Sequence, residues 1–368
     1  MLLEKFILPF IVAFILSLLF TYLIKKVAIK LNIVDRPYLR RKIHKNNIPL
    51  LGGVGLFLGF FVTLFYYSFF TDQMFGGYML PKHIIGIIVA GFLLIIGGVL
   101  DDKFNLSPLK QIIWPVFACL VIIASGIGID FISNPLGEAF QLDQFKFKIF
   151  EHNGLPYYII LMADLFTFVW LLGMTYTTKF LDGLDGLVSG ISVIASISLF
   201  FLSLQSNIMQ PETALVCIIL GGASLGFLFW NFHPAKIFLG EGGSTFIGFM
   251  LGTLAIISGG KIATALLILG IPILDVLWVI SRRILNKKSP FKSADRKHLH
   301  FRLLDLGLSQ RKAVLFLYLI SLSFGVLALL LQGKEKVLAL GILVLLMIAL
   351  GLLLVFGYKF KNKKQSDI

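Results

Sequence analysis

Long apolar runs separated by short polar connections repeat along the chain. A helix that crosses a membrane needs about 20 apolar residues, and about eleven runs approach this length. They lie near residues 6–24, 50–70, 83–100, 111–128, 156–174, 186–204, 213–230, 237–257, 262–280, 313–331 and 337–357. Because only helices and closed barrels satisfy their backbone groups in lipid, the pattern predicts an all-α, polytopic transmembrane helical bundle that forms one integral membrane domain over residues 1–368.

Two segments need separate interpretation. The first run, Phe6 to Leu23, is followed by Lys25 and Lys26 and not by a small-residue cleavage site, so we interpret it as a retained span. The connection 129–155 contains QFKFKIF, in which apolar and polar residues alternate with period two. This alternation predicts a small β-hairpin on the extracytoplasmic surface.

Composition and charge agree with a membrane protein. Of the 368 residues, 58% are hydrophobic and 14% are charged, which excludes a soluble globular class. With eleven alternating spans, 26 of the 33 Lys and Arg residues fall on one side. By the positive-inside rule that side is cytoplasmic, so the N-terminus lies outside and the C-terminus inside. The net charge of +14 therefore reflects membrane topology and attraction to anionic headgroups, and it predicts no nucleic-acid partner.

The segment KFLDGLDGLVSG is the first candidate for chemistry. Asp182 and Asp185 stand three residues apart, which places both carboxylates on one face if a helix has already begun. The glycine after each aspartate lets a ligand or another backbone come close. A plain loop between two helices is an equally good interpretation of this stretch alone, because Asp and Gly are common turn residues.

Further acidic residues lie at the same predicted membrane depth. Asp101 and Asp102 end the third apolar run, and Glu241 stands in a Gly-Glu-Gly-Gly-Ser turn that opens the eighth. Carboxylates so close to hydrocarbon are costly and usually functional, and their oxygens suit a hard cation. Asp275, within the ninth run, is explained as well by pairing with Arg282 or Arg283 as by a substrate contact.

Basic and histidine residues share this predicted side. The first connection carries His44, Lys110 begins the fourth helix, and the loop 281–312 contains HLHFR, with His298, His300 and Arg302 at alternate positions. Alternate residues share one side of an extended segment or spread around a helix. Their spacing is atypical of structural zinc, so contacts to phosphate are favoured over a metal site.

Acids that bind a divalent metal, surrounded by cations that bind phosphates, are the groups that phosphoryl transfer needs. Their placement at a membrane surface indicates one lipid substrate and one water-soluble substrate.

The motifs resemble one family when they are taken in order. The Asp-Asp pair followed by LSPLK, then DGLDGL, FLGEGGS and HLHFR, are similar to the polyprenyl-phosphate N-acetylhexosamine-1-phosphate transferase family, from Asp35 to about Arg302. The resemblance implies transfer of a sugar 1-phosphate from a UDP-N-acetylhexosamine to undecaprenyl phosphate with release of UMP. It also implies Mg²⁺, with Mn²⁺ as a substitute, an active site on the cytoplasmic face of a bacterial inner membrane, and a role in starting a cell-envelope glycopolymer such as lipopolysaccharide or teichoic acid. A homodimer is an additional expectation.

The resemblance also implies roles for individual residues. Asp101 and Asp102 match the acidic pair tied to lipid phosphate activation, and Asp182 and Asp185 match the pair near the nucleotide and the metal. Glu241 occupies the position of the direct metal ligand. The expected substrate-binding residues are His44, Lys110, Lys179, Asp275, His298, His300 and Arg302. A direct attack on the UDP-sugar and a covalent aspartyl-phosphate route would use the same residues.

Three departures from the family pattern leave rival functions open. Glu241 replaces the usual aspartate, Phe301 stands where many members have a third histidine, and Tyr176 and Lys179 stand where asparagines are usual. A catalytically silent lipid-binding scaffold of the same fold is one rival. A secondary transporter is the other, although the chain shows no internal repeat and its acids gather at one predicted surface.

Overall fold

The structure is a computed structural model that describes residues 4–37, 46–132, 134, 138–152, 155–206, 208–258, 262–285, 298–331 and 333–366. Helices dominate it. In chain order they are α1 Glu4–Lys30, α2 Gly52–Phe69, α3 Pro81–Phe104, α4 Pro108–Ala124, α5 Leu161–Leu181, α6 Leu187–Ser203, α7 Pro211–Asn231, α8 Gly240–Ile257, α9 Ile262–Ile268, α10 Gly270–Leu285, α11 Leu299–Asp305, α12 Gln310–Leu330 and α13 Lys334–Ser366.

The strands are short and form three antiparallel pairs in the described residues. They are β1 Val34–Asp35 with β2 Ile48–Pro49, β3 Phe131–Ile132 with β4 Phe140–Gln141, and β5 Lys146–His152 with β6 Leu155–Ile160. In the last pair Lys146 lies opposite Ile160. The period-two segment is therefore a strand, whereas its side of the membrane stays a prediction.

Seven helices of the described chain are long and apolar enough to cross a membrane. They are Lys5–Lys30, Gly52–Phe69, Pro81–Phe104, Leu161–Leu181, Pro211–Asn231, Gly240–Ile257 and Gln310–Leu330. The chain is thus a multi-pass helical membrane protein, and the count of eleven spans stays a prediction. The run 262–280 differs from expectation, because it is divided between α9 and α10, with a turn at Leu269.

Proline and turn residues set several helix boundaries. Pro81, Pro108 and Pro211 stand at the first positions of α3, α4 and α7, where the missing N–H has no intrahelical partner to lose. At the other end of α3, Asn105 adopts a left-handed conformation with φ 50°, which asparagine tolerates better than most residues. The chain therefore turns back sharply just after Asp101 and Asp102.

Helix α8 lies at the centre of the bundle. All its residues from Gly242 to Ile257 are buried, and it packs against α2, α3 and α5. Glycines allow the closest of these approaches: a Cβ on Gly98 of α3 would overlap the Cα of Gly242, and one on Gly53 of α2 would overlap the Cα of Gly243. The first turn of α8, which carries Glu241, is therefore held between α2 and α3.

We expect Gly98→Ala to lower the thermal unfolding temperature in detergent. The new methyl group collides with backbone that cannot rotate away, and overpacking of this kind costs about 1–3 kcal/mol. Gly173→Ala is the matched control, because Gly173 is also helical and a Cβ there meets no atom within 4 Å. The control should match or exceed the unchanged protein in stability. Equal unfolding temperatures for the two variants would contradict the packing argument.

Candidate active site

A cleft opens between α3, α4, α5 and α8. Its polar lining comes from Asp101, Gln111, Lys179, Glu241 and Thr245. Its apolar lining comes from Leu94, Gly97, Gly98, Trp114, Pro115 and Tyr176. Residues from four separate helices thus face one cavity, and three of them, Asp101, Lys179 and Glu241, are among those singled out from the sequence.

The turn after α3 positions Asp101. Because the chain reverses at Asn105, the Leu106 amide donates to Asp101 Oδ1 over 2.7 Å. Gln111 of α4 donates from Nε2 to the same oxygen over 3.1 Å and to the Leu106 carbonyl over 2.9 Å. Asp101 is buried, and its second oxygen, Oδ2, has no hydrogen-bond partner among the described residues. One carboxylate oxygen is fixed by the turn, and the other is left for a ligand.

Asp102 joins α3 to the turn that carries Glu241. Its Oδ1 accepts the backbone N–H of Glu241 over 3.2 Å. Gly240 precedes this amide with φ +75°, and a Cβ there would overlap Asp102 Oδ2. Only glycine suits this position, because it adopts the left-handed conformation freely and leaves room for the carboxylate. The acidic pair of α3 and the acid of α8 therefore form one structural unit.

Lys179 and Glu241 form an ion pair. Lys179 Nζ lies 2.8 Å from Glu241 Oε2 and donates to Gln111 Oε1 over 2.9 Å. Lys179 stands in the last turn of α5, where a cation is favoured by the helix dipole. Lys179 and Glu241, which both depart from the family pattern, thus contact each other. The ammonium group of Lys179 pairs with the carboxylate that was expected to bind the metal.

Asp182 directly follows α5 and interacts electrostatically with the other acidic residues of the site. Its carboxylate interacts with those of Glu241, Asp185 and Asp102. Desolvation, followed by the negative charges of Glu241 and Asp185, raises the pKa of Asp182 to about 8. Because the residue is exposed to solvent, the neighbouring carboxylates are the stronger cause, and a bound cation would reverse their effect.

Asp185 contacts the connection between α7 and α8. Its Oδ2 lies 2.7 Å from His233 Nδ1 and accepts the Ala235 amide over 3.1 Å. The His233 carbonyl in turn accepts Arg311 Nε over 3.0 Å. One oxygen of Asp185 is therefore engaged in holding this connection, which distinguishes it from Asp182.

Asn231 and Tyr318 support the turn between the two aspartates and α6. Asn231 Oδ1 accepts the Gly186 amide and Ser189 Oγ, each over 3.0 Å, and Asn231 Nδ2 donates to the Ile237 carbonyl over 3.1 Å. The Tyr318 hydroxyl donates to the Gly186 carbonyl. Neither residue was predicted from the sequence. A buried asparagine at the end of an apolar run needs several partners, so Asn231 was the one that its context could have indicated.

The histidine segment forms a helix beside this turn. His298 precedes α11, and its Nδ1 lies 2.9 Å from Asp275 Oδ2, while the Leu299 amide donates to Asp275 Oδ1 over 2.8 Å. Asp275 thus holds the start of α11. The His298 and His300 rings stack with centroids 5.6 Å apart, and Phe180 of α5 stacks on His298. Of the two arrangements open from the sequence, the helical one is present from Leu299 onward.

His300 is fully buried against the aspartate turn. A Cβ on Gly183 would overlap His300 Nε2, and neither ring nitrogen has a hydrogen-bond partner among the described residues. Burial lowers the pKa of His300 to about 4, although the negative charge of Asp275 acts to raise this pKa. The imidazole is therefore neutral at neutral pH and presents unpaired nitrogens next to Gly183.

The depressed pKa of His300 predicts a loss of stability in acid. The unfolded chain binds a proton at His300 near pH 6.5, whereas the folded protein resists it down to about pH 4. Stability is therefore complete above pH 6.5 and falls as the pH decreases towards 4, by about 2 kcal/mol at pH 5. We expect the difference in unfolding temperature between pH 7.5 and pH 5.0 to be smaller in His300→Gln. Other titrating groups act in both proteins, so an identical pH dependence would contradict the prediction.

Among the described residues, none of the other predicted site residues lines the cleft, and this includes Asp102, Asp182, Asp185, His298 and His300. Lys110 is exposed in the first turn of α4, and the neighbouring Gln111 lines the cleft in its place. Arg302 and Asp275 line a second cavity of about 250 Å³ between α10, α11 and α13. His44 lies outside the described residues.

Comparison with known proteins identifies the family. A model described as glycosyl transferase family 4 matches residues 84–259. The chain is 33% identical, over 336 residues, to a protein of Bacillus subtilis (strain 168) named probable undecaprenyl-phosphate N-acetylglucosaminyl 1-phosphate transferase, with 89% of this chain and 85% of the relative covered. The chain belongs to the polyprenyl-phosphate N-acetylhexosamine-1-phosphate transferase family. The resemblance predicted from the ordered motifs is thus confirmed.

Two further relatives of this transferase are named for lipids other than undecaprenyl phosphate. Decaprenyl-phosphate N-acetylglucosaminephosphotransferase of Mycobacterium leprae (strain TN) is 29% identical over 332 residues, covering 83% of this chain and 79% of the relative. A Sulfolobus acidocaldarius protein is named putative UDP-N-acetylglucosamine--dolichyl-phosphate N-acetylglucosaminephosphotransferase. It is 30% identical over 266 residues, covering 71% of this chain and 73% of the relative. The residues matched by the family model include the whole acidic cluster of the transferase and end before Asp275.

The donor groups of this transferase fit Mg²⁺ in their chemistry. Among the described residues, no three Asp, Glu, His or Cys side chains are placed to hold one ion on their own. Mg²⁺ commonly takes one or two carboxylates and completes its shell with water and substrate phosphates. Asp182 and Glu241 supply carboxylates that interact with each other, which is the kind of partial site that Mg²⁺ uses.

Proposed function

We propose that the protein transfers N-acetylglucosamine 1-phosphate, or a related N-acetylhexosamine 1-phosphate, from its UDP-sugar to undecaprenyl phosphate and releases UMP. The names of the relatives support both substrates, since the Bacillus subtilis protein is named for undecaprenyl phosphate and the Sulfolobus protein for UDP-N-acetylglucosamine. The observation that carries the proposal is the single cleft in which Asp101, Lys179 and Glu241 meet although they belong to α3, α5 and α8.

Asp101 is the residue we assign to the lipid phosphate. Its Oδ1 is held by the turn, so the unengaged Oδ2 accepts a proton from the polyprenyl phosphate or orients it. An oxygen of that phosphate then attacks the β-phosphorus of the UDP-sugar. The new bond joins the lipid phosphate to the sugar phosphate, the bond between the β-phosphorus and the bridging oxygen breaks, and UMP leaves with that oxygen.

Two positively charged groups would neutralise the negative charge of the diphosphate. Bound Mg²⁺, held by Asp182 and Glu241 with Asp185 beside them, would neutralise the phosphate oxygens. The Lys179 ammonium, 2.8 Å from Glu241, adds a fixed positive charge at the same point. His300 of α11 packs against Gly183, the residue next to Asp182, so we assign His298, His300 and Arg302 to the nucleotide side of the site.

We place this cleft on the cytoplasmic face of a bacterial cytoplasmic membrane. The side that carries 26 of the 33 Lys and Arg residues in the eleven-span arrangement also carries Asp101, Asp182 and Glu241. A cleft at this surface receives the lipid from the leaflet and the UDP-sugar from the cytosol. The product would be the first lipid-linked sugar of a cell-envelope glycopolymer.

A reconstituted assay tests the proposal. Purified protein is mixed with undecaprenyl phosphate and a panel of UDP-sugars, with Mg²⁺ or with a chelator, and UMP release is measured. We expect UMP only when lipid, UDP-N-acetylhexosamine and Mg²⁺ are all present. Binding of the UDP-sugar without UMP release would indicate a silent scaffold, and accumulation of a substrate in sealed vesicles would indicate a transporter. Either result would overturn the proposal.

A further inference from the structure

Three lysines from two separate segments gather around a pair of aromatic rings at the ends of α1 and α7. We call this group the lysine–tryptophan cluster, and it consists of Tyr22, Lys25, Lys26, Trp230 and Lys236. Lys25 Nζ and Lys236 Nζ lie 5.6 and 5.3 Å from the centroid of the Trp230 ring, and Lys26 Nζ lies 4.3 Å from that of Tyr22. The two rings stack at 5.8 Å.

The geometry of the cluster is fixed by backbone contacts. The Trp230 indole Nε1 donates to the Leu18 carbonyl of α1 over 3.0 Å, which holds the ring between the two helices. The Lys236 amide donates to the Trp230 carbonyl over 2.9 Å, which brings the chain beyond α7 back onto the ring. The backbone positions that carry the three lysines are therefore held close to the two rings.

The charge of the cluster is not balanced within the described protein. No acidic side chain there forms an ion pair with any of its three lysines. Two ammonium groups that contact the same ring repel each other, and a cation over an aromatic face recovers only part of this cost. An anion placed between them would remove the repulsion.

The surroundings of the cluster identify the kind of anion. Leu23 and Phe229 are exposed beside it, so its apolar side faces lipid. Tryptophan and tyrosine favour the headgroup level of a membrane, and lysines there attract anionic lipid. The Ala235 amide, next to Lys236, reaches Asp185, so the cluster lies at the end of the bundle that holds the acidic site.

We propose that the lysine–tryptophan cluster binds the phosphate of one anionic phospholipid, such as phosphatidylglycerol, from the leaflet at this end of the protein. The phosphate lies between the ammonium groups, and the acyl chains run down the exposed apolar surfaces of α1 and α7. This site is separate from the catalytic cleft, because none of its residues lines that cleft. It holds a structural lipid that is not consumed.

Native mass spectrometry of the full chain tests the proposal. Protein purified in detergent is titrated with dioleoyl phosphatidylglycerol or with dioleoyl phosphatidylcholine, and the affinity of the first bound lipid is measured. Each lysine near a headgroup strengthens binding by roughly fivefold, so the three lysines together should make the anionic lipid bind on the order of 100-fold more tightly. In Lys25→Gln/Lys236→Gln this preference should fall to roughly fivefold, because only Lys26 remains in the cluster.

Matched variants distinguish this site from general adsorption of anionic lipid to a basic protein. Lys30→Gln removes the same charge from the end of α1 but contacts neither ring, so it should keep the preference. Lys25→Arg/Lys236→Arg should also keep it, because the charge remains. Equal affinity for the two lipids in the unchanged protein, an unchanged preference in the double glutamine variant, or equal competition by soluble glycerol 3-phosphate would overturn the proposal. The assay measures lipid binding and not turnover, so its outcome is independent of the proposed reaction.

Discussion

Asp182→Asn is expected to reduce turnover by roughly 10²–10³-fold, the scale found when one preorganised electrostatic group is removed from an active site. Asp182 combines an exposed carboxylate with the close charges of Glu241 and Asp185, a combination that favours a bound cation. The amide cannot supply that negative charge, so the affinity for Mg²⁺ should fall as well. The measurement is UMP release as a function of Mg²⁺ concentration.

Asp143→Asn is the matched control for this prediction. Asp143 pairs with Lys146 in the connection that carries the β5–β6 pair, far along the chain from the cleft. The same chemical change there should leave turnover within about twofold, since surface ion pairs contribute little. Full activity of Asp182→Asn at ordinary Mg²⁺ concentrations would remove Asp182 from the site that we assign to it.

The hydrophobic pattern predicted most of the helices, because apolar runs of about 20 residues leave the backbone little choice in lipid. The pattern does not show where a run is divided, as between α9 and α10, because the turn at Leu269 has no polar residue to mark it. Nor does it show which helix is central. The central position of α8 depends on glycine contacts such as Gly98 with Gly242, which join segments far apart in the chain.

The acidic residues of the site were predicted from their common membrane depth and their order along the chain. The sequence does not show which oxygen of each carboxylate forms a structural hydrogen bond and which remains available to a ligand. Asp101 gives one oxygen to its own turn, and Asp185 gives one to the α7–α8 connection. Gln111 and Tyr318 went unnoticed because their roles exist only after distant segments pack together.

The pairing of Lys179 with Glu241 leads to the second prediction. Lys179→Asn and Glu241→Asp each introduce a residue typical of the family, yet each should lower turnover by about 10–100-fold. The first removes the ammonium group that pairs with Glu241, and the second withdraws the carboxylate from Lys179 by one methylene. In the double variant the lysine and the longer acid are replaced together, so neither is left without the partner that it pairs with. We therefore expect it to be more active than the product of the two single effects predicts, with a coupling energy of about 1–3 kcal/mol.

The measurement is a double-mutant cycle on turnover and on the Mg²⁺ concentration that gives half-maximal rate. Lys110→Asn serves as the control in place of Lys179→Asn, because Lys110 is exposed and does not line the cleft. Its effect should simply add to that of Glu241→Asp. If Lys179→Asn also adds to Glu241→Asp without coupling, the 2.8 Å contact has no energetic role in the reaction. Coupling confined to the Lys179 cycle would instead show that the longer acid and the lysine act as one unit, in which a fixed ammonium group supplements the charge of the metal.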